Sequence, residues 1–523
     1  MSLIRSLTCF FLMVFISPIQ AEDCPPPPPL NITTNDIFDL DDPDTLWVHR
    51  LANNFHTVTK QFTIENELAF LNEKCGINEK DLQEVERTLR QLKYIKSAVA
   101  SQNDDGEINV ETTDKWTLMP TADFGRKGGV NKYSVGLKDR NLLGYGIDAE
   151  IEYYKDAQRS GYVLSSHFPL YTSNNVYGSL TLSDTDDGSM QAASILKPFI
   201  SFDTTTAWSA NIYRSDLSQQ YFLNGSDYYE LNFSDRDLQL SWGKKWWRDE
   251  DSVIRYKLGV DYTQRTFNSI SSVYDINLPP DREYLVPFIQ LEYAEDNFKT
   301  LTNIHVINQI EDFNFGWHFV SKLGMNVASR DNDEARYLMS LAASKGTQLS
   351  ESAMLLSRIS YEYDVGGTSV PRSVLTMENE LFFKVSPKFG LYGAQRLSHT
   401  KNQYADLPVV IGEETGVRGY PLEFQRGTTA ASFTGELRYY PDISIYDLFD
   451  VGAAAFVDAG RVYGTKGFDN EYSQWLTSFG VGARFYSRHA SDTQVIHVDV
   501  SFPTLSDDNV DNVAFLITSK TSF

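Results

Sequence analysis

Cysteine is scarce: the 523 residues hold three, Cys9, Cys24 and Cys75. Three thiols cannot staple a chain of this length or complete a four-cysteine zinc site. Basic residues are also in deficit, with 46 Lys and Arg against 70 Asp and Glu and a formal net charge of -24. A nucleic-acid partner is therefore excluded, since phosphates demand a basic face. The 8 histidines are scattered, and no H-E-x-x-H, C-x-x-C, G-x-S-x-G or Walker loop occurs. No catalytic residue, cofactor or metal is expected, and the chain does not read as an enzyme. Asp184-Thr185-Asp186-Asp187-Gly188 looks like a calcium loop but lacks the spacing and the closing glutamate, so it reads as a solvated turn. No apolar run reaches the roughly 18 residues of a spanning helix. Hydrophobic residues nevertheless make up 41% of the chain, which is no composition for disorder.

The chain opens with Arg5, a continuous apolar run from Cys9 to Ile16, and Ser17-Pro18-Ile19-Gln20-Ala21. This pattern is a secretory signal peptide, residues 1–21, cleaved after Ala21. Cleavage removes Cys9 and leaves Cys24 and Cys75 as an even pair in an oxidising compartment, either bridged or as two free thiols. Residues 22–45 read as a linker, with Pro25 to Pro29 extended and the stretch from Asp36 to Asp44 acidic. Residues 46–116 read as a small α/β domain. Leu46 to Leu51 is the candidate first strand, and a helix runs from about Lys60 to Glu73, stopped at Cys75-Gly76. Asn78 caps a second helix with Asp81 at its third position; Leu82, Val85, Leu89 and Leu92 form its buried face. Ile95 to Ser101 and the alternation Ile108, Val110, Thr112 make two further strands around an Asp104-Asp105-Gly106 turn.

Residues 117–523 change in texture. Ile254, Tyr256, Leu258, Val260 and Tyr262 interleave with Arg255, Lys257, Gly259 and Asp261, and Ile496, Val498 and Val500 interleave with His497, Asp499 and Ser501. A charged residue at every second position cannot face a dry core, but it can face a watery lumen while its neighbours face lipid. A soluble sandwich or propeller also alternates, but no repeat of propeller length is evident. The 29 Tyr and 32 Phe suffice for two interfacial girdles. Polarity and length point to outer loops near Ser215–Ser234, Asn268–Arg282 and His399–Thr429.

Within the last of these lies Gly416-Val417-Arg418-Gly419-Tyr420-Pro421. Two strand-like runs follow. In the first, Phe433, Gly435, Leu437 and Tyr439 oppose Thr434, Glu436 and Arg438. In the second, Ala453, Ala455 and Val457 oppose Ala454, Phe456 and Asp458, ahead of Gly460. An arginine folded back on such a face can pair bidentately with a carboxylate. The series V-R-G-Y, G-E-L-R-Y-Y and F-V-D-A-G-R resembles the end of bacterial surface-antigen barrels of the BamA/TamA superfamily, which includes the two-partner secretion transporters. The order β-α-α-β-β in residues 46–116 resembles a single POTRA domain, fewer than the barrel-assembly members carry. The resemblance implies an α+β POTRA domain followed by a transmembrane antiparallel β-barrel of sixteen strands. It implies that Val417, Arg418, Gly419 and Tyr420 enter the lumen, that Arg418 meets Asp458 beside Phe456 and Gly460, and that Glu436 is a second carboxylate. Terminal Phe523 resembles the recognition signal of outer-membrane barrels, in a weak copy because Ser519 and Thr521 precede it.

The function implied is translocation or insertion of polypeptide clients across or into the bacterial outer membrane. The POTRA domain would sit in the periplasm and meet clients by strand addition. The barrel would close between a first strand near Thr117–Gly125 and a last one in Asn512–Phe523. Implied partners are client polypeptides, outer-membrane lipid, and a periplasmic or inner-membrane protein. The alternatives are a passive pore or adhesion barrel, and, far behind, an outer-membrane hydrolase.

Overall fold

The computed structural model describes residues 28–520 apart from 42, 44, 75, 128–129, 173, 273–276, 329–335, 367–369, 447, 466–467, 469, 488 and 492–494. The expected signal peptide with Cys9, the expected pairing of Cys24 with Cys75 and Phe523 lie outside the described residues.

The chain first builds a small α/β unit from β1 (Leu30–Asn35), α1 (Trp47–Asn54), α2 (Gln61–Glu67), α3 (Glu79–Arg90), β2 (Ile95–Gln102) and β3 (Ile108–Asp114). The sheet order is β1-β3-β2, with β1 parallel and β2 antiparallel to β3. Ile32, Ile64, Leu68, Phe70, Val85, Leu89, Ile95 and Ile108 fill its core. The start of α3 is held by a reciprocal cap. Asp81 N–H donates to Asn78 Oδ1 at 3.2 Å, and Asn78 N–H donates to Asp81 Oδ2 at 2.8 Å.

Two expectations for this region fail. Residues 46–51, taken as the first strand, belong to α1, whose buried residues His49 and Ala52 are three apart, a helical spacing. The first strand is β1, inside the stretch 22–45 taken as linker. Only Ile32 of β1 is fully buried, so two apolar residues among six, between a proline run and an acidic run, leave little alternation to see. The helix expected over residues 60–73 also divides, into α2 and a 3₁₀ segment from Leu68 to Glu73.

The rest of the chain forms one large antiparallel sheet. Its strands are β4 (Leu118–Lys127), β5 (Val130–Asp139), β6 (Asp148–Lys155), β7 (Ser160–Pro169), β8 (Tyr177–Thr185), β9 (Gly188–Lys197), β10 (Thr206–Leu223), β11 (Ser226–Arg248), β12 (Ser252–Ser272) and β13 (Arg282–Glu295). A separate hairpin of β14 (Phe298–Thr302) and β15 (Ile310–Asn314) intervenes. The wall resumes with β16 (Trp317–Asn326), β17 (Arg336–Ser350), β18 (Ala353–Gly366), β19 (Arg372–Lys384) and β20 (Phe389–Lys401). After a long loop holding β21 (Val409–Ile411) and β22 (Gln425–Gly427) come β23 (Thr429–Tyr439), β24 (Ser444–Ile445), β25 (Phe449–Tyr463), β26 (Leu476–Tyr486), β27 (Val495–Pro503) and β28 (Ala514–Lys520). β24 continues β23 against the same partner, β25.

Among the described residues the wall therefore has twenty strand positions rather than the sixteen implied by resemblance. The surplus is explained by residues 118–197. Their six strands are only 8 to 10 residues long, yet each pairs along its length with both chain neighbours except at the outer side of β4. A tilted strand of about 9–11 residues suffices to cross a bilayer, so these are wall strands and not loop hairpins. Among the described residues the two ends of the sheet meet at one registered pair, Ile517 of β28 with Arg126 of β4.

Faces alternate along the wall. On β25, Val457 is exposed while Phe456 and Asp458 are buried; on β27, Ile496 and Val498 are exposed while His497, Asp499 and Ser501 are buried. Apolar residues outside and charges inside invert a soluble barrel and match one immersed in lipid. Aromatic pairs on the exterior, Trp317 stacked on Phe319 and Phe389 on Tyr439, fit an interfacial girdle. The expected outer loop at Ser215–Ser234 is instead the tip of a long hairpin. β10 and β11 are joined only by Asn224 and Gly225, both at positive φ (53° and 77°), the two-residue turn that favours Asn-Gly.

The small unit sits across the rim at which β4 starts. Lys74 Nζ lies 2.5 Å from Asp81, 2.8 Å from Glu84 and 2.7 Å from Asp203 of the β9–β10 turn. The three carboxylates could resemble a metal cage, but the lysine already supplies the cation. Arg90 pairs bidentately with Asp312 of β15, at 3.0 and 2.9 Å. Glu67 of α2 is buried against the wall and accepts from the Tyr177 hydroxyl of β8 at 2.6 Å. Burial pushes its carboxyl up to about 7 despite that bond. A raised acid pKa means the folded state binds the extra proton between pH 4.5 and about 7. Stability should thus fall as pH rises through that window and level off above it, by about 3 kcal/mol at most. Hydrogen exchange of α2 at pH 5 and pH 8 should show the loss of protection. Glu67→Gln should remove the pH dependence, and an unchanged dependence would refute the assignment.

Candidate functional site: a lumen latch between two inserted elements

Residues 402–428 connect β20 to β23 and fold into the barrel from the rim opposite the small unit. β21 and β22 pair to form the neck of this loop. Beyond it, Val417, Tyr420 and Phe424 are fully buried with Ile411, Val462, Leu476 and Val510. Gly419 has φ 87°, a conformation that glycine adopts without strain. A Cβ at Gly460 would lie 2.5 Å from Val417 Cγ2, so the missing side chain on β25 is what lets the loop seat against the wall.

Arg418 is brought onto three strands at once. Its Nε donates to Asp458 Oδ2 at 2.7 Å and its Nη2 to Asp458 Oδ1 at 2.9 Å, a bidentate pair. Its Nη1 lies 3.0 Å from Glu436 Oε1 on β23 and 3.3 Å from Asp499 Oδ2 on β27. The guanidinium carbon stands 3.4 Å from the centre of the Phe456 ring, a cation–π contact. The backbone is held as well: the Ser501 hydroxyl donates to Arg418 O at 2.9 Å. Tyr420 donates its hydroxyl hydrogen to Thr477 O at 3.0 Å. The structure thus brings together Val417, Arg418, Gly419, Tyr420, Glu436, Phe456, Asp458 and Gly460.

Sequence reasoning missed the rest of the cluster. Arg438 donates to Glu436 Oε2 at 3.0 Å, and Arg484 pairs with Asp499. Three guanidiniums and three carboxylates form one neutral buried network. Asp499 and Arg438 had been placed on polar faces, but register across β23, β25, β26 and β27 decides which charges meet. The loop is also tied to the far wall. Arg265 and Arg282 both bond Asp406, at 2.9 Å and at 2.8 and 2.6 Å. Arg426 lies over the rings of Tyr221, Tyr228 and Tyr229. The unusually long β10, β11 and β12 thereby act as a post for the loop.

A second element enters from the other end. The β14–β15 hairpin carries Val306 and Ile307 at its tip, buried against Tyr440, Ala454, Tyr486 and Val495. On its other side Phe315, with Leu301, Ile304 and Phe313 beside it, packs with Met354 and Phe382. It therefore lies along one arc of the wall, from β18–β19 past β20 and β23 to β25–β27. Glu311 shapes the tip by accepting from the backbone N–H groups of Ile304, His305 and Val306 at 3.0 to 3.3 Å. Arg438 Nη1 donates to Ile304 O at 3.1 Å. One side chain thus links the hairpin to Glu436, and through it to Arg418. Nothing in the local sequence of residues 298–314 marks this insertion.

Chemically the cluster is a latch. Its charges neutralise one another, and the Ser501 hydroxyl is committed to a carbonyl rather than to a proton-accepting histidine. Between the two inserted elements a polar cavity of about 530 Å³ remains, lined among others by Arg358, Glu378, Asn379, Gln395 and Arg396.

These features define a large antiparallel barrel with a small α/β unit at one mouth and a lumen occupied from both ends. No protein family matches the chain by sequence profile, and no curated protein matches it by sequence. Among solved structures it is similar to BamA from Haemophilus ducreyi lacking POTRA domains 1–3, at 12% identity and TM-score 0.39 over 88% of this chain and 81% of that one. It is also similar to CdiB from Escherichia coli, at 12% identity and TM-score 0.47 over 94% and 76%, and to CdiB from Acinetobacter baumannii, at 13% and 0.42 over 88% and 72%. The class rests on the geometry of the chain itself, not on these distant likenesses.

Proposed function

We propose that this is an outer-membrane protein of the BamA/TamA kind that inserts polypeptide clients into the membrane at the seam of its barrel. The observation that carries this reading is the seam itself. Among the described residues every other neighbouring pair of wall strands shares a ladder, whereas β4 and β28 share one registered pair, Ile517 with Arg126. Unpaired strand edges template another strand. The small unit, read as a POTRA domain, lies at the rim where β4 begins, on the periplasmic side in this reading, and can hand an extended client to that edge. The loop of residues 402–428 enters from the outer side. Insertion at the seam is favoured over passage through the lumen, and over a passive pore, because a loop and a hairpin occupy the lumen.

The test is to lock the seam. Cysteines replacing Ile517 and Arg126, in a chain with Cys24 and Cys75 changed to serine, are oxidised after reconstitution into vesicles. The oxidised protein should lose its acceleration of the membrane insertion of a small urea-unfolded barrel, and reduction should restore it. Full activity in the locked state would refute insertion at the seam.

A further inference from the structure

α1 takes no part in the core of the small unit, which is built by α2, α3 and the sheet. The chain leaves β1 at Asn35 and places α1 against the base of the barrel before it returns at α2. Ala52 packs with Ile37, Phe38, Trp116 and Leu448, and His49 Nε2 approaches Tyr446 O, in the turn before β25, at 3.4 Å. Past the other end of the helix, His56 Nε2 lies 2.9 Å from Asp114, just ahead of β4. The helix therefore runs along the rim on the seam side.

Its outer face is apolar and bare. Trp47, Leu51 and Phe55, spaced four apart, form one stripe, with Trp47 77% and Phe55 62% exposed. Beside them Ile443, Ile445 and Tyr446 are exposed too, the last at 72%. These residues continue onto Phe449 and the outward face of β25, the lipid-facing wall of the barrel. On the other flank of β4, the β5–β6 turn presents Leu142, Leu143 and Tyr145 to the exterior. Leu143 has φ 55°, an uncommon conformation for a bulky residue. Charge agrees with apolarity. Residues 45–64 contain no Asp or Glu in a chain that has 70, while Arg50 and Lys60 are exposed.

We propose that α1 is an interfacial membrane anchor. Its Trp47, Leu51 and Phe55 stripe dips into the leaflet facing the small unit, with Arg50 kept at the headgroup level, and Leu142–Tyr145 dips in on the other flank of β4. An amphipathic helix with aromatic and aliphatic residues on one face and cations on the other lies in this manner at a bilayer surface. An acid-free segment meets anionic headgroups without repulsion. The partner is lipid and not protein, because the bare face is continuous with the lipid-facing wall. The inference rests on the reading of the barrel as membrane-spanning. It adds that the base of β4, one side of the seam, is held at the membrane from both flanks.

The experiment uses the full chain in vesicles of phosphatidylethanolamine and phosphatidylglycerol. A benzophenone amino acid is placed at position 51, at 457 on the barrel exterior, and at 99 on the exposed face of β2. Lipid adducts are expected at 51 at the level seen at 457, and none at 99. Position 51 behaving like 99, or cross-linking to protein, overturns the anchor while leaving the barrel reading intact. No lipid adduct at 457 overturns both. As a measurement without the probe, brominated lipids should quench wild-type emission more than that of Trp47→Phe. Equal quenching overturns the proposal.

Discussion

Arg418→Ala is expected to leave a folded barrel with its lumen loop unlatched. The guanidinium is buried and serves three carboxylates, so its loss leaves Asp458, which is fully buried, without its bidentate partner. Removing one member of a buried pair costs about 3–5 kcal/mol, and here the penalty falls on the loop rather than on the wall. The strand ladders of β23, β25 and β27 do not depend on Arg418. The neck of the loop also keeps its own clamps through Asp406 and Arg426. Hydrogen exchange and proteolysis should therefore rise in residues 413–424 and not in the strands, with client insertion impaired. Arg418→Lys should rescue poorly, because an ammonium lacks the planar fork that reaches Asp458 twice while touching Glu436 and Asp499. Unchanged loop protection together with full activity in Arg418→Ala would refute the latch.

Shortening the β14–β15 tip, by replacing residues 303–309 with a tight glycine-containing turn, is expected to open the mouth beside the small unit. Burial of Val306 and Ile307 contributes roughly 1.5–3 kcal/mol each, and both leave with the tip, as does the carbonyl that Arg438 bonds. β13 and β16 pair with each other directly, so the wall survives. Barrels of about 16–18 strands already enclose aqueous channels, and this wall has twenty positions. Because the loop still crosses the lumen, the shortened chain should show only a partial rise in single-channel current. Adding Arg418→Ala should raise it to the scale of an open porin. A doubly altered chain that conducts no more than wild type would show that neither element blocks the lumen.

Much of the site was legible before any fold was known. Phe456, Asp458 and Gly460 alternate so that an aromatic, a carboxylate and a gap face the same way, and Gly419 and Pro421 announce a bend that can carry Arg418 to them. The cap of α3 was legible for the same reason, since Asn78 and Asp81 are three residues apart and bond each other. β1 was not legible, because its strand character comes from pairing with β3, far along the chain. The count of strands was misjudged because the resemblance, not the segments themselves, supplied the number.

By itself the sequence determined the alternation of apolar and charged faces and the turn chemistry around Arg418. These follow from local periods of two and of 3.6, and from residue types whose geometry is set by their own backbone. Only the tertiary structure decided that Arg438, Arg484 and Asp499 complete the latch, that β14 and β15 fold inward, that α1 leaves its domain for the rim, and that β28 meets β4. Each of these depends on register between strands distant in the chain. A shift of one residue would send the same side chains to the opposite face, and no local pattern carries that information.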